Sequence, residues 1–208
     1  MFRLFSYKMT HDSGFAPNPF WGELTLATCK PQIRLYKKPG DWIAGFTSLH
    51  LCGDPAGQEK LVFLMKAEQK LTIAQYFQCP RYKSKIPDPK HSLHVYRVGD
   101  NIYKPRSDGA FEQISNPGHD CGDVEHDLSG KFVLTASEFV YFGGEAIAIP
   151  EEIRPDVPAG QSGQGSRTSN QVLAQQLVEH IFSNYRLGVQ ASPHTWPAGD
   201  SSWKQVCE

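Results

Sequence analysis

The chain lacks an excess of charge, a long apolar run, a paired-cysteine motif and every glycine-rich nucleotide fingerprint, and each absence removes a class of function. Its 208 residues carry 21 basic and 22 acidic side chains, a net charge of -1. Nothing therefore pulls the whole molecule toward a polyanion, and any nucleic-acid contact must be local. No apolar stretch approaches the roughly 18 residues that a membrane span requires, and Met1-Phe2-Arg3-Leu4-Phe5-Ser6-Tyr7 turns polar too soon for a signal peptide. The five cysteines, Cys29, Cys52, Cys79, Cys121 and Cys207, are odd in number and scattered. That pattern fits reduced thiols, so a cytoplasmic protein without membrane contact is expected. No P-loop, dinucleotide fingerprint or kinase-type lysine motif occurs, so ATP, GTP and NAD chemistry lack support and no cofactor is expected.

What the chain does have is His11-Asp12-Ser13-Gly14-Phe15-Ala16-Pro17-Asn18-Pro19-Phe20-Trp21. Two prolines fix φ and push their predecessors to extended conformations, and Gly14 permits a turn that other residues resist. The segment reads as a stiff loop that sets hydrogen-bonding groups beside flat apolar faces, as a nucleobase pocket does. His11, Asp12 and Ser13 are adjacent, so their side chains diverge and do not form a hydrolytic triad. His11, Asp12, Ser13 and Asn18 instead read a base edge, while Phe15, Phe20 or Trp21 stacks on its face. The competing reading is a proline-rich loop that caps a core with its rings inward. Lys30 and Arg34 supply a local basic set for phosphate, whereas Arg81, Lys83, Lys85 and Lys90 read as solvated surface charge.

Two further clusters stand out. His119-Asp120-Cys121-Gly122-Asp123-Val124-Glu125-His126-Asp127 has residue types that suit a transition metal. Its spacing matches neither HExxH nor a paired CxxC site, and no metal is expected. Gly99-Asp100-Asn101, with Tyr103 after it, reads first as a turn.

Strands are expected over 2–9, 23–29, 41–47, 60–67, 93–98, 131–134 and 139–142, with the 60–67 run central in a sheet. Leu71 to Phe77 has helical spacing and a capping Thr72, and Cys79-Pro80 stops it. Residues 107–129 read as loop. From Pro150 the composition shifts to a glycine- and serine-rich connector, followed by an amphipathic helix through Val172, Leu177, Val178, Ile181 and Phe182 and a tail with two tryptophans. The expected division is a domain at 1–150 and an extension at 151–208.

The stiff loop, read with Phe2-Arg3-Leu4-Phe5-Ser6-Tyr7, Ala27-Thr28-Cys29-Lys30-Pro31, Gly40-Asp41-Trp42-Ile43-Ala44-Gly45, Leu61-Val62-Phe63-Leu64-Met65-Lys66 and Gly99-Asp100-Asn101-Ile102-Tyr103, resembles the second of the nucleotide-modification-associated domains. These are bacterial and phage domains linked to DNA or nucleotide modification, and the resemblance runs over about residues 1–150. It implies that Asp100 or Asn101 reaches the pocket, with Trp42 and Tyr103 as further ligand-binding candidates. The order of Gly40 to Gly45, the strand at 61–66 and Phe77-Gln78-Cys79-Pro80-Arg81-Tyr82 is also similar to modified-base-binding domains of the pseudouridine-synthase-associated type.

The expected fold is α+β: a curved, mainly antiparallel sheet or partly open barrel followed by a C-terminal helix. The expected function is recognition of a modified nucleotide or nucleic-acid base. One alternative is an enzyme that itself modifies the base, with His11, Asp12 and Asp100 moving protons. A second is an interaction module that holds a protein partner through its C-terminal helix.

Overall fold

The apolar run at 61–66 becomes an interior strand of the largest sheet in the computed structural model, which describes residues 2–160 and 163–207. Met1, Glu208 and the Gln161-Ser162 part of the expected connector lie outside the described residues. The strands are β1 Leu4–Lys8, β2 Leu24–Leu26, β3 Trp42–Phe46, β4 Leu61–Lys66, β5 Gln69–Thr72, β6 Tyr103–Pro105, β7 Phe111–Gln113, β8 Phe132–Ala136, β9 Phe139–Tyr141, β10 Ser166–Arg167 and β11 Gly188–Val189. The α-helices are α1 Pro31–Tyr36, α2 Leu49–Cys52, α3 Ile73–Gln78, α4 Val124–Ser129 and α5 Gln171–Asn184.

The main sheet has the order β10-β1-β3-β4-β9-β11. It is mixed, because β1 pairs with β3 and β9 with β11 in parallel, while its other pairings are antiparallel. A parallel neighbour needs a long crossover, and residues 9–41 provide the one between β1 and β3. That crossover carries the stiff loop, β2, Cys29 and α1, so the topology itself delivers the candidate loop and Cys29 to one side of the sheet. The smaller sheets, β2-β8-β5 and β6-β7, are antiparallel. The fold is thus α+β with a C-terminal helix, and among the described residues no sheet closes into a barrel.

Alternation along the strands separates two cores. Leu4, Trp42, Ala44, Leu64 and Val140 face α5, which buries Ala174, Leu177, Val178 and Ile181 against them. Burying Leu177, Val178 and Ile181 stabilises this docking by on the order of 5–8 kcal/mol. Asn170 caps α5 by accepting from the Val172 and Leu173 N–H groups. Ile43, Phe63, Met65 and Tyr141 point the other way, toward Leu24, Leu26, Leu134 and Ala136 of the second sheet. A third cluster behind that sheet joins Phe15, Tyr76, Tyr82, Ile102, Tyr103 and Val133. The tail packs as well, with Trp196 5.3 Å from Phe20, centroid to centroid.

Several local expectations change in three dimensions. The expected strand at 93–98 is a 3-10 turn over His94–Tyr96 that still buries Val95 and Val98. Residues 107–129, expected as loop, contain β7 and α4, and α1 follows directly from Pro31 at its first position. Lys85, expected on the solvated surface, is 1% exposed. Its ammonium donates to Asn18 Oδ1 at 2.7 Å, Asn18 O at 3.1 Å and Glu23 O at 2.8 Å, so the lysine pins the stiff loop to the strand that follows it. The capping box that Thr72 and Gln75 form at α3 places that short helix where its sequence predicts.

Candidate functional site

Cys29 sits between β2 and α1 in a conformation that few side-chain-bearing residues adopt: its φ is 52°, and that of Lys30 is 33°. Two consecutive left-handed residues without glycine are costly, and such backbone persists only where its surroundings dictate it. Here they do. The Cys29 N–H donates to Asp127 Oδ1 at 2.6 Å, and the Cys29 carbonyl accepts from Arg34 Nε at 2.9 Å. Arg34 is fully buried; its other two nitrogens donate to the carbonyls of Phe132 at 2.9 Å and Asp127 at 2.6 Å. The first turn of α1 and the end of α4 are thereby tied around one cysteine.

Its thiol meets a histidine. Cys29 Sγ lies 3.0 Å from His119 Nε2, and His119 Nδ1 lies 2.6 Å from Asp127 Oδ2. Asp127 is fully buried, and the same oxygen accepts from the Tyr103 hydroxyl at 2.8 Å. Burial pulls the His119 pKa down, but hydrogen bonds to Asp127 and Cys29 and the charges of both outweigh it, so the imidazole is pushed up to about 10. The carboxylate fixes one ring nitrogen and leaves the other aimed at sulfur, the arrangement in which histidine takes a thiol proton. Burial holds the Tyr103 phenol well above its usual range, and the neighbouring Asp127 charge adds to this, so it serves Asp127 as a neutral donor.

Two pockets meet at this thiol. The inner one, about 70 Å³, is bounded by Tyr7, Met9, Leu26 and Thr28 among others, and Lys30 stands at its edge. The outer one, about 300 Å³, is bounded by Ser13, Phe15, Gly118, His119 and Thr195. His11, Ala16 and Cys29 line both. The outer space reaches the lower end of the range of small-molecule sites. Burial, and then the charges of Cys29 and Asp12, keep the Tyr7 phenol above its usual range. Burial also pulls the Lys30 ammonium below its usual value, against the charge of Cys29.

Of the residues singled out in the sequence, His11, Ser13, Phe15 and Lys30 line these pockets, and Tyr103 and Arg34 hold Asp127. Phe15 meets His119 edge-on, with ring centroids 5.0 Å apart. Arg34, expected to hold phosphate, has its guanidinium sealed by three backbone carbonyls. Asp12 turns away from His11: its buried carboxylate accepts from the Tyr141 hydroxyl and lies 2.8 Å from His194 Nδ1. Asp100 is buried between Thr25 Oγ1 and the Tyr76 hydroxyl, both at 2.7 Å, and burial raises its pKa. Asn18 donates to the Gly14 and Val98 carbonyls, and Asn101 donates to those of Tyr76 and Tyr82. Phe20 packs on Trp196, Trp21 on Tyr96, and Trp42 on Phe182. These seven residues, Asp12, Asn18, Phe20, Trp21, Trp42, Asp100 and Asn101, shape the scaffold around the pockets and line neither of them.

From the histidine-rich run at 119–127 only its two ends reach the thiol, with ligand-type atoms of Cys29, His119 and Asp127 within 4.8 Å of one another. Both Asp127 oxygens accept hydrogen bonds, and the two His119 nitrogens face Asp127 and Cys29. Asp120 and Asp123 cap a turn, and Cys121 is exposed. Cys29 itself lies 90 residues from His119. Its one sequence signal is its place before Lys30-Pro31, within a motif that marks the resemblance.

Residues 1–200 match the family model described as nucleotide modification associated domain 2. No curated protein and no solved structure matches the chain.

Proposed function

We propose that this chain, which belongs to the nucleotide modification associated domain 2 family, is a thiol enzyme that acts on a nucleotide or nucleic-acid base. The single observation that carries the reading is the line from Asp127 through His119 to Cys29 Sγ, ending where two pockets join. The outer pocket accommodates a base, with His11, Ser13 and Thr195 available to its polar edge. Cys29 Sγ adds to an electrophilic carbon of that base. The thiol proton rests on His119 Nε2 before attack, in keeping with an imidazole that is charged at neutral pH; the S–C bond forms, and the displaced π pair moves onto the adjoining ring atom or carbonyl oxygen. His119 then returns the proton to that atom, so the net change is addition of S–H across one double bond, and its reversal frees the enzyme. Asp127, hydrogen-bonded to Nδ1, orients and stabilises the imidazolium.

Intact-protein mass spectrometry and thermal shift against normal and modified nucleotides and oligonucleotides test the reading, with Cys29→Ala in parallel. A covalent adduct or turnover in the wild type, lost in Cys29→Ala while ligand-induced stabilisation survives, is the expected result. Equal stabilisation of both proteins without adduct or turnover would overturn the enzyme and leave base recognition as the function. Absence of both stabilisation and adduct would overturn both.

A further inference from the structure

We propose that Arg97, His94 and the turn at 115–117 form a phosphate subsite that serves the same nucleotide, next to the base pocket. A cavity of about 310 Å³ is lined by Pro89, His94, Arg97, Ser115, Asn116 and Pro117. Pro117 also lines the outer pocket at Cys29, so one short turn walls both spaces. That turn is fastened to the relay: Asn116 Oδ1 accepts from the Gly118 N–H at 2.9 Å and the His119 N–H at 2.7 Å.

Arg3, Arg34, Arg81, Arg106 and Arg154 each face a carboxylate, but Arg97 in this second cavity makes no salt bridge among the described residues. Its Nε is buried without a hydrogen-bond partner, and its terminal nitrogen lies 3.2 Å from His94 Nδ1. A guanidinium edge with an unused N–H costs free energy unless an anion with two acceptor oxygens takes it, and two oxygens of a phosphate match that fork. None of the lining residues is acidic, and Ser115 adds a hydroxyl. Burial and then the charge of Arg97 lower the affinity of His94 for a proton, against a smaller opposing pull from Asp200. The net effect keeps His94 largely neutral, able to accept from Arg97 through Nδ1 and to donate through Nε2. In a chain with a net charge of -1, anion binding has to come from such a built site rather than from a general field.

The identity of the rest of the ligand rests on the reading of the thiol site, but the anion test does not use the thiol. The side-chain Nε–H resonance of Arg97 is followed by NMR in Cys29→Ser protein on adding inorganic phosphate, a nucleoside 5′-monophosphate and a short single-stranded oligonucleotide. Salt-sensitive displacement of that resonance by phosphate is expected, together with binding of the monophosphate roughly tenfold or more tighter than its nucleoside. Arg97→Gln should erase the tenfold preference, and Arg97→Lys, which keeps charge but not the fork, should recover only part of it. A response to the monophosphate alone marks a free-nucleotide site; one shared with the oligonucleotide marks a nucleic-acid backbone, and both support the subsite. An unmoved Arg97 resonance with all three probes, or equal binding of nucleoside and monophosphate, overturns it. Failure to form a Cys29 adduct leaves these readouts unaffected and bears only on the thiol reading.

Discussion

Replacing Asp127 by Asn removes the charge behind His119 without changing side-chain size. The carboxylate is fully buried and accepts from the Cys29 N–H, His119 Nδ1 and the Tyr103 hydroxyl at 2.6, 2.6 and 2.8 Å. If the Asn oxygen keeps the Cys29 N–H, its NH2 faces His119 and forces Nδ1 to accept. The ring proton then sits on Nε2, which can no longer take the thiol proton. The electrostatic loss has an upper bound. The gap between about 10 and the ordinary 6.5 for His119, at 1.36 kcal/mol per pH unit, comes to about 5 kcal/mol. Cys29 supplies part of that, and the imidazole is 11% exposed, so the share of the carboxylate is about 2–3 kcal/mol, or roughly 30- to 150-fold in rate. Alkylation by iodoacetamide at neutral pH, read peptide by peptide, checks this. Cys29 should slow by about that factor, while the exposed Cys52 and Cys121 keep their rates as internal controls. The imidazole proton resonance of His119 should also titrate near 10 in the wild type and much lower in the variant. An unchanged Cys29 rate in a folded variant, or a wild-type His119 that titrates at its ordinary value, would refute the reasoning.

Gly118→Ala should deform the outer pocket, because its Cβ would stand 2.4 Å from Phe15 Cδ1, while the hydrogen bonds from Asp127 through His119 to Cys29 involve neither residue; we expect weaker ligand-induced stabilisation at nearly unchanged Cys29 alkylation, and loss of both would show that the Phe15 ring positions His119 instead. Lys85 makes a prediction about pH. Burial holds its pKa at about 8, against 10.5 unperturbed, despite the opposing charges of Asp100, Glu23 and Cys207. The unfolded chain therefore binds more protons between these values, and this residue adds stability as pH rises from about 8 to 10.5, by up to about 3 kcal/mol. In urea unfolding, the advantage of wild type over Lys85→Met should widen across that window; a constant difference would show that the ammonium is not strained by its burial.

Local rules made much of the framework legible. The run at 61–66 was bound to be interior because it carries apolar residues on both faces. Thr72 and Asn170 announced the starts of α3 and α5, since a side-chain oxygen that satisfies free N–H groups is a local device. The loop at 11–21 was also recognisable as stiff, because proline geometry does not depend on context. What local rules missed is instructive. The short α4 hides in a polar, glycine-flanked run that offers little amphipathic pattern, and Lys85 reads as surface charge because its three carbonyl and amide acceptors come from residues 18 and 23.

The sequence alone determined the family, the longer strands, the helices α3 and α5, the place of the proline-rich loop and the absence of nucleotide fingerprints, because each is written in neighbouring residues. Only the tertiary structure decided which polar groups meet. Asp12 was drawn to Tyr141 and His194 rather than to His11. Cys29 was joined to His119 and Asp127, partners 90 and 98 residues away. The parallel pairing of β1 and β3 requires the crossover at 9–41, and the buried Arg34 binds that crossover to α4. Spacing along the chain carries no record of such encounters, because they are set by how whole sheets and helices pack.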